Sequence, residues 1–263
     1  MGSLKDKLKD KLTKKEISLL VKGFDIIGDI AVIEIPEELK KKQKVIAQAI
    51  LEQHKNVKVV AKKASKVEGV ERIRKVRVIA GEKRTETLHK ENGISLVFDI
   101  NKVYYSPRLS SERLRVMEMT RSKEHIIDMF AGVGPFAILI ARNKEVKIDA
   151  IDINKEAYKY LNKSIKENKL RGEITTHKGD AGEIIKKLEK ADRIIMNLPE
   201  SSMDFLDGAV SRIKKGGVIH LYAFEKNGDI TRKLRRKKYK IENKMKCGAF
   251  SPEIQRVCFD LKF

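Results

Sequence analysis

The 263-residue sequence predicts an α/β protein in which a small α+β domain precedes a larger domain of alternating strands and helices. Three observations support this prediction. Residues 126–141 read as a buried strand, a turn with two glycines and an apolar helix. Four more apolar segments follow at intervals filled by helical patterns, as in an open parallel sheet. The first hundred residues lack that alternation, so we expect domains at 1–99 and 100–263.

The first domain contains short elements of both kinds. Its predicted elements are a helix on Leu4, Leu8 and Leu12, a helix after a capping box at Thr13–Glu16, a hairpin over 24–35 broken at Gly28-Asp29, a helix from Pro36 to about His54, a strand over 57–61, a basic edge strand over 72–78 and a hairpin around Asn92-Gly93. Together they indicate a small mixed module.

The second domain begins after Ser106-Pro107 interrupts the chain. Ser110 or Ser111 is predicted to cap a helix that carries Glu112 in its first turn. The predicted strands are His125–Met129, Val146–Ile151, Ile174–His177, Arg193–Met196 and Gly217–Ala223, with a helix over Lys155–Asn168. A terminal antiparallel pair over 239–250 and 256–263 completes the sheet.

The turn between Gly132 and Gly134 predicts a nucleoside-type cofactor. Asp152 ends the next strand, where a carboxylate can accept hydrogen bonds from both ribose hydroxyls. A dinucleotide motif needs a third glycine, whereas Pro135 and Phe136 follow here. S-adenosylmethionine (AdoMet) has no phosphate and tolerates the shorter turn, so we expect AdoMet. The structural alternative is an ordinary turn with Asp152 as a helix cap.

Two more segments lie at the predicted carboxyl edge of the sheet. Asp180 follows the third strand and can reach an adenine amine, although it would equally serve as a helix N-cap. Asn197-Leu198-Pro199 follows the fourth strand, and Asn-Pro-type motifs at this position are typical of methyltransferases that act on planar amines and nucleobases. Both segments therefore favour a ligand site at this edge.

The charge of the chain indicates a polyanionic partner. Its formal net charge is +21, from 58 basic and 37 acidic residues. Between Lys55 and Arg84 eleven residues are basic and three acidic, and a second basic run centres on Arg235 and Arg236. A Lys/Glu-rich surface of the thermophile type would explain the charged fraction but not its sign, so nucleic acid is the better interpretation.

Other features limit the class of protein. The charged start lacks the apolar segment of a secretory signal, no apolar run is long enough to cross a membrane, and two cysteines make no disulfide framework, so we expect a cytoplasmic protein. The histidines are scattered and lack metal-ligand spacing with Cys247 and Cys258, so no metal site is predicted. They are His54, His89, His125, His177 and His220.

Several motifs together resemble those of the archaeal and eukaryotic tRNA (guanine-N1)-methyltransferases, which modify the guanosine 3′ of the anticodon. These motifs are Tyr104–Arg113, Asp128–Phe136, Ala150–Asn154, Met196–Pro199, His89–Gly93 and the glycine pair of Gly216–His220. The resemblance covers nearly the whole chain. It implies a Rossmann-like class I AdoMet-dependent methyltransferase domain preceded by a small RNA-binding domain, and tRNA, through its anticodon stem–loop, as the partner.

The resemblance also implies roles for single residues. Glu112 matches the general base that removes the guanine N1 proton; without the resemblance it would read as a first-turn acid that favours the helix dipole. Arg72 matches the arginine that offsets charge at O6. The implied catalytic residues are Glu112, Arg72, Asn197 and Pro199; the implied cofactor residues are Arg108, Asp128, Phe130, Gly132, Val133, Gly134, Pro135, Phe136, Asp152, Ile153, Asp180, Ala181 and Asn197; the implied RNA contacts are Tyr104, Arg108, Arg72, Arg74 and Arg113.

Three alternatives remain open at this point. One is a related transferase that moves the aminocarboxypropyl group of AdoMet during wyosine synthesis, although the intact Ser106-Pro107-Arg108 and Asn197-Leu198-Pro199 favour methyl transfer. Another is methylation of carbon 7 of a wyosine precursor. The third is a tRNA-binding protein without catalysis. Family members usually carry a further N-terminal domain, whereas this sequence begins at about the start of their second domain, either naturally or by truncation. We therefore expect little affinity from tRNA beyond the anticodon arm. Separately, we expect a monomer.

Overall fold

Backbone contacts in this computed structural model divide the chain into two compact units. The N-terminal unit comprises Met1–Lys90 and Val97–Pro107, and the C-terminal unit comprises Glu91–Leu96 and Arg108–Phe263. The structure describes residues 4–21, 23–65, 69, 73–235 and 239–263. The boundary predicted near Asp99 falls inside the second segment of the N-terminal unit, and the exchanged segment 91–96 is not apparent from composition.

The N-terminal unit packs helices against a four-stranded sheet. Its elements are α1 (Leu4–Leu8), α2 (Lys14–Leu19), β1 (Asp25–Ile27), β2 (Ile30–Ile33), a 3-10 helix (Glu37–Lys42), α3 (Gln43–Gln53), β3 (Val59–Lys63) and β4 (Val76–Gly81). The strand order is β1-β2-β3-β4, with β2 and β3 parallel. Buried Leu8, Leu39, Ile46 and Ile50 form the centre of the core between helices and sheet.

The local signals of this unit are largely confirmed. The capping box at α2 is present: the Thr13 amide donates to Glu16 Oε2 at 2.8 Å and the Glu16 amide donates to Thr13 Oγ1 at 3.2 Å. The helix predicted from Pro36 begins instead as a 3-10 turn and becomes α-helical only at Gln43. The basic edge strand starts later than predicted, at Val76, whose amide donates to the Asn101 side chain.

The hairpin predicted around Asn92-Gly93 is confirmed. Its strands are β5 (Glu86–Glu91) and β6 (Ile94–Asp99), which pair only with each other among the described residues. Asn92 has φ 45° and Gly93 has φ 80°. Positive φ at both central residues is what a two-residue type I′ turn requires, and asparagine and glycine reach it at low cost.

The C-terminal unit is built on a seven-stranded sheet. After a 3-10 turn (Pro107–Leu109), which bridges the unit boundary, its elements are α4 (Ser110–Met119), β7 (His125–Asp128), α5 (Pro135–Asn143), β8 (Lys147–Asp152), α6 (Lys155–Lys166), β9 (Glu173–Lys178), α7 (Ala181–Ile185), β10 (Ala191–Met196), a 3-10 turn (Ser202–Phe205), α8 (Leu206–Arg212), β11 (Ile213–Glu225), α9 (Asp229–Leu234), β12 (Lys240–Ala249) and β13 (Gln255–Lys262). All five predicted parallel strands and the terminal pair are present.

The order of strands in this sheet determines where a ligand can bind. It is β12-β13-β11-β10-β7-β8-β9, with β13 antiparallel to β11 and β12 antiparallel to β13. The chain goes from β7 outward to β8 and β9, then returns to β10 on the other side of β7. Open parallel sheets bind ligands at such a switch point, outside the carboxyl ends of the strands. The Rossmann-like prediction is therefore confirmed.

The start of α4 differs from the prediction. The helix begins at Ser110 itself, and its N-cap is Leu109, which makes no side-chain capping bond. Ser110 uses its carbonyl and hydroxyl oxygens to accept hydrogen bonds from the Asn92 side chain, at 3.0 and 3.1 Å. The predicted serine cap is thus wrong, because the oxygens of Ser110 accept hydrogen bonds from Asn92, which is distant in sequence.

No helix within the described ranges is long and apolar enough to cross a bilayer.

Candidate active site

The turn after β7 is fixed by backbone contacts and by close packing. The Ala131 amide donates to the Ile151 carbonyl at 2.8 Å, and Gly132 has φ 58°. Gly134, at φ 82°, is the N-cap of α5, and Pro135 occupies the first turn of that helix. A Cβ atom on Gly134 would lie 2.3 Å from Leu161 Cδ1. The second glycine is therefore required by packing against α6 as well as by its backbone conformation.

Asp152 links this turn to the end of β8. Its Oδ2 accepts a hydrogen bond from the Gly132 amide at 2.7 Å, and its Oδ1 accepts one from the Asn154 amide at 2.8 Å. Asn154, and not Asp152, caps α6, because its side chain accepts from the amides of Glu156 and Ala157. Asp152 is therefore not the cap of α6, and its carboxylate lies half-buried beside the glycine turn.

Asp128, the last residue of β7, is a buried acid with unsatisfied oxygens. Its residue is 1% exposed, and neither carboxylate oxygen has a hydrogen-bond partner of normal geometry. Burial, and after it the charge of Asp152, raises the pKa of Asp128 to about 7, and the Phe130 amide lowers it by a smaller amount. A buried carboxylate without donors is costly, so this position fits a cationic or hydrogen-bond-donating ligand.

The remaining predicted cofactor residues lie in different environments. Ile153 follows β8 and is 46% exposed, so its apolar side chain is available at the edge of the sheet. Phe130 is half-buried and makes an edge-to-face contact with Phe205 at 5.1 Å. Val133, Phe136 and Ala181 are buried in the core, whereas Asp180 is exposed and caps α7 by accepting from the Glu183 amide at 3.0 Å.

Asn197 and Pro199 form a turn at the carboxyl end of β10. Asn197 is half-buried and Pro199 is buried, and the Pro199 carbonyl accepts from the Phe224 amide at 3.1 Å. The buried Ser202 hydroxyl donates to the carbonyls of Met196 and Leu198, at 2.9 and 2.7 Å. This bracing explains why the turn can hold one conformation without regular secondary structure.

Glu112 lies on α4 as a buried carboxylate that accepts three hydrogen bonds from two partners. The residue is 8% exposed. Arg115 donates from Nη2 to Oε1 at 2.7 Å and from Nε to Oε2 at 2.8 Å, and the fully buried Tyr222 hydroxyl donates to Oε1 at 2.8 Å. Burial raises the pKa of Tyr222 well above its usual value, so this phenol remains a proton donor. The acid is therefore rigidly oriented.

A chain of buried polar side chains continues from Arg115, and sequence analysis missed it. Arg115 also donates to Asp260, at 2.7 and 3.2 Å. Asp260 Oδ1 lies 2.6 Å from His220 Nδ1, and Arg193 Nη1 lies 2.6 Å from His220 Nε2. Because a guanidinium can only donate, Nε2 accepts and the proton of His220 lies on Nδ1. Arg193 in turn pairs with Glu124 at 2.7 Å.

The same cluster contains three potential metal ligands, His220, Cys258 and Asp260, within 4.8 Å of one another. It does not fit a cation. Arg115 donates to Asp260 and to Cys258 Sγ, and Arg193 donates to His220, so two guanidinium groups already occupy the ligand atoms. Burial and the Asp260 charge also raise the pKa of Cys258 well above its usual value.

Arg113 is placed where it cannot contact RNA, which corrects its predicted role. Its residue is 2% exposed. Its guanidinium donates to both carboxylate oxygens of Glu91, from Nε at 2.5 Å and from Nη2 at 2.7 Å. The sequence placed an arginine beside Glu112 but could not show which way the helix faces. Arg108, in the 3-10 turn before α4, is exposed.

Two further features lie within the N-terminal unit. Tyr104 and Arg74 line a small cavity of about 40 Å³, so two of the predicted RNA contacts are neighbours. A wide groove of about 740 Å³ carries the basic residues Lys58, Arg84 and Lys90 in its lining. Arg84 is held in place by Asp29, at 2.5 and 3.0 Å. Arg72 and Arg236 lie outside the described residues.

Comparison with known proteins places these features in a family. A family model described as the TRM5/TYW2 methyltransferase domain matches residues 87–249, and one described as the TYW2 N-terminal domain matches residues 4–85. The curated tRNA (guanine(37)-N(1))-methyltransferase Trm5b of Pyrococcus abyssi is 55% identical over 207 residues, which are 79% of this chain and 61% of that protein. Trm5b of Methanocaldococcus jannaschii is 39% identical over 253 residues, which are 95% of this chain and 74% of that protein.

A third curated relative and two solved structures are also similar to this chain. The tRNA 4-demethylwyosine(37)-methyltransferase Taw21 of Saccharolobus solfataricus is 41% identical over 203 residues, 76% of this chain and 77% of that protein. A structure titled as the complex of aTrm5 and tRNALeu matches with TM-score 0.89 and 37% identity, covering 100% of this chain and 78% of that one. A structure of Pyrococcus horikoshii TYW2 with MeSAdo matches with TM-score 0.79 and 26% identity, covering 98% of this chain and 97% of that one. The chain therefore belongs to the TRM5/TYW2 methyltransferase family.

Proposed function

We propose that the chain transfers a methyl group from AdoMet to N1 of guanosine 37 in tRNA. The observation that supports this best is Glu112, a buried carboxylate oriented by Arg115 and Tyr222. It lies at the position that the family resemblance gives to the general base. The relatives named for this reaction are 55% and 39% identical to the chain.

The cofactor would bind at the carboxyl edge of β7 and β8. AdoMet supplies, when bound, an electrophilic methyl group on a positively charged sulfur. Asp128 supports the fit, because its buried and unsatisfied carboxylate matches the ammonium group of the methionine moiety. Asp152 would face the ribose, and exposed Ile153 would cover the adenine. Asp180 and Asn197 remain proposed contacts at the same edge.

Glu112 would take the proton from guanine N1. Neutral guanine is a weak acid at N1, so its lone pair becomes nucleophilic only as this proton leaves. The base must also leave its stack, which costs a few kcal/mol. We assign Asn197 and Pro199 to the pocket wall and Arg108 to the target nucleotide. Arg72 remains proposed as the residue that offsets negative charge at O6.

The N-terminal unit would hold the anticodon stem–loop. Its groove carries Lys58, Arg84 and Lys90, and Tyr104 and Arg74 line the smaller cavity nearby in the same unit. Lysine and arginine contacts to phosphates supply most of the affinity of such interfaces. A solved relative is titled as a complex with tRNALeu, which is consistent with this partner.

A second candidate reaction is methylation of a wyosine precursor at carbon 7. The Taw21 relative favours it, since their alignment spans similar fractions of both chains at 41% identity. Aminocarboxypropyl transfer is less favoured, because the TYW2 structure is only 26% identical. All three reactions use the same cofactor, so the label that reaches the tRNA distinguishes them.

The test is transfer of label to three tRNAs that differ at position 37. The purified chain is incubated with methyl-labelled AdoMet and a transcript with guanosine, a transcript with adenosine, or tRNA with 4-demethylwyosine. We expect label only on the guanosine transcript, with N1-methylguanosine after nuclease digestion. Glu112→Gln should reduce the single-turnover rate by at least roughly 100-fold, the lower end of the range for general-base catalysis.

Other outcomes would redirect the proposal. Label on the 4-demethylwyosine tRNA alone would establish the carbon-7 reaction. Transfer of label from carboxyl-labelled AdoMet would indicate aminocarboxypropyl transfer. No transfer to any tRNA, despite measurable AdoMet binding, would contradict the proposed function.

A further inference from the structure

We propose that Asp260, acting through Arg115, is a positioning residue that enables Glu112 to accept the guanine N1 proton, and that Oε2 is the accepting atom. This inference rests on the proposed function, in which Glu112 is the base. It adds Asp260 to that function and assigns separate effects on proton transfer to Arg115 and Tyr222. None of them was a candidate from the sequence.

The contacts of Glu112 distinguish its two oxygens. Oε1 accepts from the Tyr222 hydroxyl at 2.8 Å and from Arg115 Nη2 at 2.7 Å, which uses both of its lone pairs. Oε2 accepts only from Arg115 Nε, at 2.8 Å, among the described residues. A carboxylate oxygen has two lone-pair sites, so one site on Oε2 remains for a proton.

An arginine that paired with Glu112 alone would oppose this proton transfer. Protonation would leave its half-buried guanidinium without a counter-ion, and such a charge is costly. Here Asp260 accepts two further bonds from the same guanidinium, at 2.7 and 3.2 Å, and its side chain is fully buried. Arg115 therefore keeps a counter-ion whether or not Glu112 carries the proton.

The sum of charges along the buried chain points the same way. The carboxylates are Glu112, Asp260 and Glu124, and the guanidiniums are those of Arg115 and Arg193. Burial lowers the pKa of His220, so this imidazole is neutral, and it donates from Nδ1 to Asp260. Three negative and two positive charges leave an excess of one negative charge. Uptake of one proton at Glu112 removes that excess.

The other ionisable groups near Glu112 do not change this count. On β11 the pKa of Tyr222 is raised by burial, so the phenol is neutral. On β12 and β13 burial raises the pKa of Cys247 to about 12 and that of Cys258 well above its usual value, so both thiols are neutral. Asp260 remains ionised, because His220 and Arg115 lower its pKa despite burial. Asn243, also on β12, adds only a neutral amide contact to Asp260, at 3.3 Å.

The step itself is a simple proton transfer. The N1–H bond of guanine breaks and its electron pair stays on N1, while an O–H bond forms on Oε2 of Glu112. The buried chain goes from one excess negative charge to neutral. The N1 lone pair is then available to form the bond to the methyl carbon, whose electron pair with sulfur stays on the departing thioether.

The experiment compares three isosteric or near-isosteric variants in single-turnover methyl transfer to the guanosine-37 transcript between about pH 5 and 9. Asp260→Asn removes one negative charge. We expect the acid limb of the pH–rate profile to move to lower pH by roughly one unit, as one nearby charge would cause, and the plateau rate to fall roughly tenfold. Tyr222→Phe removes a donor from the ionised carboxylate, so the limb should move to higher pH.

His220→Asn is the matched control. It keeps a neutral donor for Asp260 and the charge of the chain, so the limb should stay in place. Equilibrium AdoMet binding should be unchanged in all variants, which reports folding independently of the chemistry. An unmoved limb in Asp260→Asn, or equal shifts in Asp260→Asn and His220→Asn, would overturn the inference. If Asp260→Asn does not bind AdoMet, an unmoved limb in Tyr222→Phe would overturn it.

Failure of the proposed function would look different. In that case the wild-type protein would not methylate the transcript, or Glu112→Gln would be as fast as the wild type. A wild-type protein that methylates N1, is inactivated by Glu112→Gln, and keeps its acid limb in Asp260→Asn would contradict only the role of Asp260.

Discussion

Asp128 is a single residue whose contribution to the free energy of unfolding depends on pH. Its carboxyl is buried without normal hydrogen-bond partners, and its pKa is raised to about 7. Between about pH 4 and 7 the folded state therefore binds a proton that the unfolded state has lost. The free energy of unfolding falls as pH rises through that window, and above it the full penalty applies.

Replacing this acid should stabilise the free protein while impairing cofactor binding. We expect Asp128→Asn to raise the free energy of unfolding at pH 8 by up to about 4 kcal/mol, since the pKa of Asp128 rises from 3.8 to about 7 and each pKa unit corresponds to about 1.4 kcal/mol. The same variant should bind AdoMet at least roughly tenfold more weakly, because the buried negative charge is lost. Urea unfolding and calorimetric titration measure the two effects.

The pH dependence provides the control for this prediction. Below about pH 4 the carboxyl is protonated in both the folded and the unfolded protein, so the stability difference between variant and wild type should be small there. A difference of equal size at pH 4 and pH 8 would mean that charge burial is not its cause. Unchanged AdoMet affinity would remove Asp128 from the proposed site.

The residues that sequence could identify are those whose role depends on near neighbours in the chain. Gly132, Gly134 and Asp152 follow recognisable strands, and the structure brings them together. Arg115 and Asp260 are 145 positions apart and carry no periodic signal, so their ion pair is visible only in the fold. Arg113 was misassigned for a related reason, since a basic residue alone does not reveal a buried acidic partner.

At the scale of secondary-structure elements, two glycines allow the energetic cost of packing to be distinguished from that of backbone strain. Gly134 and Gly216 have nearly equal φ values, 82° and 80°. A Cβ at Gly134 would lie 2.3 Å from Leu161 Cδ1, whereas a Cβ at Gly216 would meet nothing within 4 Å among the described residues. A comparison of substitutions at these two glycines therefore measures the contact between α5 and α6 separately from backbone strain.

Alanine substitutions at the two positions should lower the free energy of unfolding by different amounts. Gly216→Ala should lower the free energy of unfolding by about 1 kcal/mol, the cost of a left-handed non-glycine residue. Gly134→Ala should lower it by about 3 kcal/mol, because overpacking adds to that strain. Chemical unfolding of both variants measures the difference. Equal losses would show that α5 and α6 can move apart without cost.

Helix starts show how far local signals reach. Thr13–Glu16 forms a capping box as predicted, because all of its partners lie within one turn. The predicted serine cap of α4 fails, because Asn92 binds Ser110 from eighteen residues away. The hairpin at Asn92-Gly93 was predictable from its turn, but its contact with α4 was not. Local chemistry thus specifies elements better than it specifies their partners.

At the scale of the whole molecule, net charge should govern RNA affinity. The formal charge is +21, and basic residues line the groove of the N-terminal unit. Neutralising phosphates releases counter-ions, so affinity falls steeply with salt. We expect the Kd for the tRNA transcript to rise by roughly 100-fold or more between about 50 and 200 mM monovalent salt. Filter binding measures it.

The cofactor provides the comparison for this salt dependence. AdoMet has no phosphates and therefore no condensed counter-ions to release, so we expect its Kd to change by less than about threefold over the same salt range. A tRNA affinity that varies as little as this would contradict the electrostatic interpretation of the charge. It would instead indicate recognition through base contacts and apolar surface.

The fold as a whole was more predictable than the boundaries of its two units. Alternating strands and helices after residue 120 imply the parallel sheet, and all five predicted parallel strands are present. The unit boundaries were not predictable, because the stretch 91–96 belongs to the C-terminal unit although residues on both sides belong to the other. No low-complexity linker marks these junctions, so the sequence contains no signal for the exchange.

This interleaved path restricts how such a protein can arise by genetic recombination. The polypeptide passes between the units at residues 90, 96 and 107, and Glu91, the buried partner of Arg113, lies in the inserted stretch. A single crossover at any one junction would separate the two segments of at least one unit, because the segments of the two units alternate along the chain. Descendants should therefore inherit both units as one block, and exchange of the N-terminal unit alone between lineages would require three breakpoints, at residues 90, 96 and 107.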